Sequence, residues 1–356
     1  MRRPRVVVAM SGGVDSAVAA ARCVAEGNEV IGISLRLADG GTGSCCSLDD
    51  FQDAAAVADR LGFPHYVFDY RREFDRTVVQ PFVADYLAGR TPNPCARCNQ
   101  HVKFGRLWEH ARELGADRLA TGHYARVGTD PADDSPVLCQ AKDRDKDQSY
   151  FLFMLDAGTL ARTSFPIGDL SKPDVRREAQ RLGLPVADKL ESMEVCFVPR
   201  RGPAAFVEGQ VSAAALRPGT IRDETGAVLA HHAGIHRFTV GQRRGLGLGG
   251  GPRRYVRRID ADSATVTVSR RLEGSAGLRA AEVTWGGRQA PRPGSRFAVR
   301  IRHRHPVLPC RLVDVAGDRV DVLFEDAGAV VTPGQAAVFY RDDVVLGGGW
   351  VSGELP

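Results

Sequence analysis

Cys95 and Cys98 stand three residues apart in "TPNPCARCNQHVKF", residues 91–104, between a Pro/Asn turn and a stretch with helical spacing. That spacing suits a metal site or a redox pair. A loop-to-helix junction at Cys98 lets the helix dipole favour its thiolate, with His101 and Lys103 close in sequence. Cys196, in "ESMEVCFVP" (191–199), follows a helix and a polar loop, in an apolar run that reads as a short strand. Taken alone it reads as a small buried hydrophobe. Cys23, on the apolar side of a helix, and Cys139 and Cys310, beside strands, read as structural, and the adjacent pair Cys45–Cys46 takes no role. Eight cysteines in a small secreted protein would suggest a disulfide framework. In a chain of 356 residues, thiols, metal ligands or catalytic groups are the better reading.

A second chemical feature is "AMSGGVDSAV", residues 9–18. Ala9 and Met10 close an apolar strand. Ser11, Gly12 and Gly13 let the backbone turn and aim N–H groups inward, and Val14, Asp15 and Ser16 open a helix whose positive end favours an anion. The loop sits where a Walker A loop would, but no Gly-Lys-Ser/Thr follows. An ordinary Gly-rich turn is the competing reading. The string resembles the pyrophosphate loop of the N-type ATP pyrophosphatases, which activate a substrate oxygen as its adenylate. That resemblance implies adenine contacts near Leu35 and Gly122.

The elements that must hold these residues alternate through the first 200 positions. Strands are read at 5–10, 29–35, 65–70 and 118–125, and helices at 14–27, 48–62, 102–115 and 172–183. This rhythm predicts a doubly wound parallel sheet covered by helices, over residues 1–205. Beyond that, short alternating runs separated by Gly, Asp and Pro take over. They predict a small β-rich domain at 206–275 and an antiparallel β-barrel at 276–356.

Composition excludes some classes. No apolar run nears the ~20 residues of a membrane span. The opening "MRRPRVVVAMSGG" has too short an apolar stretch for a signal peptide, so the cytoplasm is the default expectation. The net charge of +5 is uneven: residues from 201 onward carry 22 Arg, no Lys and 15 Asp+Glu, a balance of +7. A polyanionic partner such as RNA would suit that half. A solvated Arg-rich surface would show the same balance.

Several strings then occur in order across nearly the whole chain: "SGGVDS", "GRTPNPCARCNQHVKF", "ATGHYAR", "KDQSYFLF", "FPIGDLSKPDVRREA", "VCFVP", "FTVGQRRGLGLG" and "PGQAAVFYRDDVVLGGG". Together they resemble the bacterial tRNA-specific 2-thiouridylases. The resemblance implies an adenine-nucleotide α-hydrolase-like first domain, and ATP with Mg2+ as the activating agents. It implies Cys98 as nucleophile, Cys196 as persulfide carrier, and a Cys98–Cys196 disulfide after turnover. It implies a persulfide donor, such as a cysteine desulfurase or a sulfur-relay protein, as partner. It implies tRNA contacts at His123, Lys146, Asp147, Gln148 and Gln335; "IRHRH" adds Arg302 and His303 as candidates. Many members carry Asp where this chain has Cys95, so an acid/base role there does not transfer. Cys95, Cys98 and Cys196 could instead ligate a 4Fe–4S cluster. Zinc lacks an obvious fourth ligand. Two other functions compete. An amide-forming synthetase would need no cysteine pair, and a passive RNA- or cluster-binding protein would need no nucleotide loop.

Overall fold

The computed structural model describes residues 2–38, 47–190, 195–249, 251–326 and 328–355; Cys45 and Cys46 lie outside the described residues. The first layer is a parallel sheet of β1 (Arg5–Met10), β2 (Glu29–Arg36), β3 (His65–Asp69), β4 (Arg118–Thr121) and a two-residue strand at Thr163–Ser164. Its order is β3-β2-β1-β4 and then Thr163–Ser164, all parallel. β1 is an almost continuous apolar run because helices cover both of its faces. On one side, α1 (Val14–Ala25), α2 (Leu48–Leu61) and the helix at Lys172–Arg181 bury Val8, Val18, Val57 and Val175 together. The other side packs Val7, Ile33 and Leu119 against Val102, Leu107 and Ala111.

Two helical stretches differ from the elements read in the sequence, one not read there at all and one that starts earlier than expected. Residues 71–87 are helical, although the run Thr77-Val78-Val79 and Pro81 argue against a helix. The conflict shows locally: Asp75–Val79 opens into π-helical turns just before Pro81, which has no N–H to donate. The helix expected at 102–115 begins earlier, at Pro94. It runs Pro94–Cys98, then π-helical over Asn99–Arg106, then Leu107–Glu113.

The strand expected at 118–125 stops at Thr121. Residues 125–129 pair instead with 136–140 as a hairpin. That hairpin leaves the first domain and joins the C-terminal barrel through Val344 and Cys139. The barrel itself closes on six antiparallel strands: Gly277–Thr284, Arg319–Phe324, Leu308–Ala316, Arg296–Arg300, Ala336–Arg341 and Val344–Leu355, the last pairing back with the first. Between the two lies a four-stranded sheet built from Gly219–Arg222, Val228–His232, Tyr255–Asp260 and Thr265–Ser269.

The cores are not separate. Ala336, Val338, Tyr340 and Val345 of the barrel belong to the same apolar cluster as Cys98, Val102 and Tyr150. Cys23, Cys139 and Cys310 are buried, and burial pushes the Cys23 thiol up to about 12.

Candidate active site

The loop after β1 leaves the N-terminus of α1 open. The N-cap is Gly13, and no side chain caps the first turn. The Ser16 hydroxyl donates to the Gly13 carbonyl at 3.0 Å and receives the Ser11 N–H at 3.2 Å, which fixes the turn. The remaining N–H groups are available to an anion. Gly12 has φ +69° and lies against the first turn of α2. A Cβ there would sit 2.3 Å from the Asp50 carbonyl oxygen. Gly122 is required from the other side, since its Cβ would meet the Ser16 nitrogen at 2.7 Å. The end of β4 thus rests directly on the start of α1.

Between them lies a cavity of about 240 Å³. Its walls include Ala9, Met10, Ser11, Asp15, Ser16, Leu35 and Gly122, seven of the positions expected to meet ATP. Gly12, Gly13 and Val14 shape the turn without lining the cavity. The walls also include Leu37, Lys103, Thr121, His123 and Gln148. The His123 ring bonds the Thr121 hydroxyl at 2.8 Å, and burial, with Lys103 nearby, pushes its pKa well down, so it is neutral at pH 7. Gln148 accepts the Tyr124 N–H at 2.9 Å.

Lys172 is the residue that sequence reasoning missed. It is only 7% exposed, and its Nζ lies 2.7 Å and 2.9 Å from the two carboxylate oxygens of Asp15. The Tyr124 hydroxyl donates to the same carboxylate at 2.8 Å. A signal was present. Ser171 caps this helix, with Asp174 completing a capping box, so Lys172 is a cation in the first turn, where the dipole disfavours it.

The segment carrying Cys95 and Cys98 starts at an Asn93 cap, whose Oδ1 accepts the Ala96 N–H at 3.3 Å. Cys95, exposed, lies in the first turn; Cys98, 7% exposed, lies a turn further on and enters the π-helical stretch. The helix start expected at Cys98 is therefore corrected: the N-terminal turn belongs to Cys95, because Asn93 and Pro94 begin the helix early. Burial, with Arg97 second, lowers the His101 pKa. Cys196 sits in a turn rather than a strand, closed by the Val198 N–H to the Val195 carbonyl at 3.0 Å. Phe197 packs edge-on against Phe74, Phe82 and Phe206, and Cys196 packs on the apolar cluster that contains Cys98. Among the described residues, no three His, Cys, Asp or Glu side chains converge to hold a metal. The three-cysteine cluster is therefore not favoured.

The expected RNA contacts divide. Lys146 is half-buried beside the cavity residue Gln148. Asp147 is corrected to an internal role. Its side chain is fully buried, and its carboxylate engages Arg300 at 3.1 Å, Gln140 at 3.1 Å and Ser149 at 2.9 Å. Gln335 donates from Nε2 to the carbonyls of Thr91 at 2.9 Å and Pro92 at 3.3 Å, so its amide braces the "TPNP" turn. Arg302 turns inward to Thr332 and the Val240 carbonyl, and His303 stacks near Phe151 and bonds the Asp147 carbonyl at 3.1 Å. Elsewhere, Arg243, Arg253 and Arg254 line an open cavity together with the glycines between them.

Three family models match in succession: "tRNA methyl transferase HUP domain" over residues 4–200, "tRNA methyl transferase PRC-barrel domain" over 205–270, and "Aminomethyltransferase beta-barrel domain" over 275–351. The tRNA-specific 2-thiouridylase MnmA of Geobacter metallireducens is 49% identical over 99% of this chain and 98% of its own length. The enzyme of the same name from Solibacter usitatus is 46% identical over 97% and 98%. The chain belongs to the tRNA-specific 2-thiouridylase family. Among solved structures, a 4-thiouridine synthetase–RNA complex with bound ATP is similar at TM-score 0.37 and 15% identity, covering 55% of this chain and 45% of that one. Among the described residues, no helix is long and apolar enough to cross a membrane.

Proposed function

We infer that this chain is an ATP-dependent tRNA uridine 2-sulfurtransferase, and we propose that Cys98 and Cys196 share the sulfur transfer. One observation carries the proposal. Lys103, five residues beyond Cys98 on the same helical segment, lines the cavity at the open end of α1. Nucleotide site and thiol segment share a wall.

ATP places its phosphates on the first turn of α1, and the base lies toward Leu35 and Gly122. The uridine C2 oxygen attacks the α-phosphate and pyrophosphate leaves, turning a poor leaving group into AMP. Mg2+ would supply charge neutralisation for the pyrophosphate; Asp15, the lining carboxylate, is already paired with Lys172 through both oxygens, so no protein ligand is assigned to the ion. The terminal sulfur of a Cys196 persulfide bonds C2 as the C2–O bond to AMP breaks. The Cys98 thiolate then attacks Cys196 Sγ, the persulfide S–S bond breaks, and 2-thiouridine leaves. A Cys98–Cys196 disulfide remains, and a dithiol reductant returns it to two thiols. Cys196, in a half-exposed turn, is open to loading by a persulfide donor protein. Lys146 and the arginines of residues 243–254 supply phosphate contacts to the tRNA. Methyl transfer, the activity in the family models' description, would use neither a pyrophosphate loop nor a cysteine pair.

The test is incubation with ATP, a persulfide donor and bulk tRNA, followed by nucleoside analysis. The expected product is 2-thiouridine, lost in both Cys98→Ser and Cys196→Ser. Full activity in both variants would overturn the assignment of the cysteines.

A further inference from the structure

The barrel touches the thiol segment at a strained point. Glu282, in the strand Gly277–Thr284, has φ +51°, a left-handed conformation rare for a side chain of this size. It falls in a bulge, where pairing with the last strand shifts register between Ala281 and Thr284. The bulge turns the Glu282 carboxylate onto Arg97, with contacts of 3.0 Å and 3.3 Å from the two guanidinium nitrogens to the two oxygens. The Arg97 guanidinium also lies 4.2 Å over the Trp350 ring, which itself packs edge-on against Phe153. Arg97 stands between Cys95 and Cys98, in a five-residue helical turn that continues into π-helical turns. Short, widely wound turns hold themselves weakly and need outside restraint.

Glycine would relieve φ +51°, yet the chain carries glutamate there. Glu282 is 59% exposed, so its ion pair adds little to global stability. Strain kept for a pair of little stabilising value points to a role in geometry. We propose that Glu282 is a positioning residue: through Arg97, which lies over Trp350, it fixes the turn that aims Cys98 at the persulfide. This rests on Cys98 being the nucleophile.

Glu282→Gly separates the two meanings, since it removes the carboxylate and relieves the backbone. The melting temperature is expected to hold or rise. Multiple-turnover formation of 2-thiouridine is expected to fall about ten- to a hundredfold, the scale of an ångström misplacement of a reacting group. The tRNA-dependent exchange of pyrophosphate into ATP, which does not use Cys98, is expected to stay within about twofold of the parent, as is KM for tRNA. Glu282→Gln, keeping one hydrogen bond to Arg97, is expected to fall between. Unchanged thiolation in Glu282→Gly, or exchange falling in step with thiolation, would overturn the proposal. Retained thiolation in Cys98→Ser would instead sink the reading of Cys98, so the two failures are distinguishable.

Discussion

Asp15 and Lys172 show at the residue scale what a nucleotide site must solve. A carboxylate at the start of α1 is favoured by the helix dipole, but it faces the place where a polyphosphate must lie. Lys172, nearly buried, offsets that charge through contacts of 2.7 Å and 2.9 Å. Lys172→Met would leave the Asp15 charge opposing the phosphates. KM for ATP is expected to rise about tenfold, the scale of one charge interaction in a partly buried site, with the cysteine chemistry intact. Steady-state kinetics with ATP varied at saturating tRNA would measure it, and an unchanged KM would show that Tyr124 alone suffices. The strand-to-helix turn at "SGGVDS" was legible because its residue types act through the backbone, which local sequence specifies. Lys172 was not, because its partner lies 157 residues away and only the fold joins them. Asp147 misled for the same reason. A polar side chain reads as available to RNA until the fold supplies an internal partner.

At the scale of elements, α2 buttresses the phosphate loop. Its capping box joins Ser47 and Asp50, and Lys189 reaches the Asp50 carboxylate at 2.7 Å. Burial alone would raise the Asp50 pKa, but bonds from Lys189 and Ser47 outweigh it and hold it below the usual carboxylate value. A lowered folded-state pKa stabilises the fold above the unfolded value, near 3.9, and that stabilisation is lost as pH falls through the folded one. Because Gly12 rests on the Asp50 backbone, acid is expected to loosen the phosphate loop along with the helix. The parent should lose thermal stability below about pH 4 more steeply than Asp50→Asn, which has no charge there to lose. Parallel melting curves from pH 3 to pH 7 would check it, and identical slopes would refute it. This helix was legible, because Ser47, the acids after it and Gly62 mark both its ends. The helix over 71–87 was not, since Pro81 and the β-branched run before it argue for a break. Packing of Phe74, Val78 and Phe82 overrides that local preference and leaves π-helical turns as its trace.

For the whole molecule, the three-part division in the sequence conceals how far the parts depend on each other. Thr91, just before the thiol segment, receives a hydrogen bond from Gln335, donates its N–H to the Pro333 carbonyl at 2.8 Å, and bonds Thr239, in the connection between two strands of the central sheet, at 3.1 Å. The hairpin at 125–140 leaves the first domain for the barrel, and Arg126 meets Asp343 at 2.6 Å. Such contacts are long-range, so periodicity could place the strands but not the seams. One deep seam among the described residues is the ion pair of Arg300 and Asp147, 14% and 0% exposed in their side chains. Arg300 belongs to the barrel, yet Asp147 adjoins Gln148, a wall of the cavity at the open end of α1. Removing one partner of a buried pair leaves the other charge poorly compensated, at a cost of about 3–5 kcal/mol. Arg300→Met is therefore expected to lower the melting temperature and, by loosening the turn at Gln148, to raise KM for ATP. Asp147→Asn with Arg300→Met, which removes both charges and keeps an acceptor for Ser149, is expected to recover much of the stability. If Arg300→Met changed stability but left ATP affinity alone, the barrel would be a neighbour of the nucleotide site rather than part of its support.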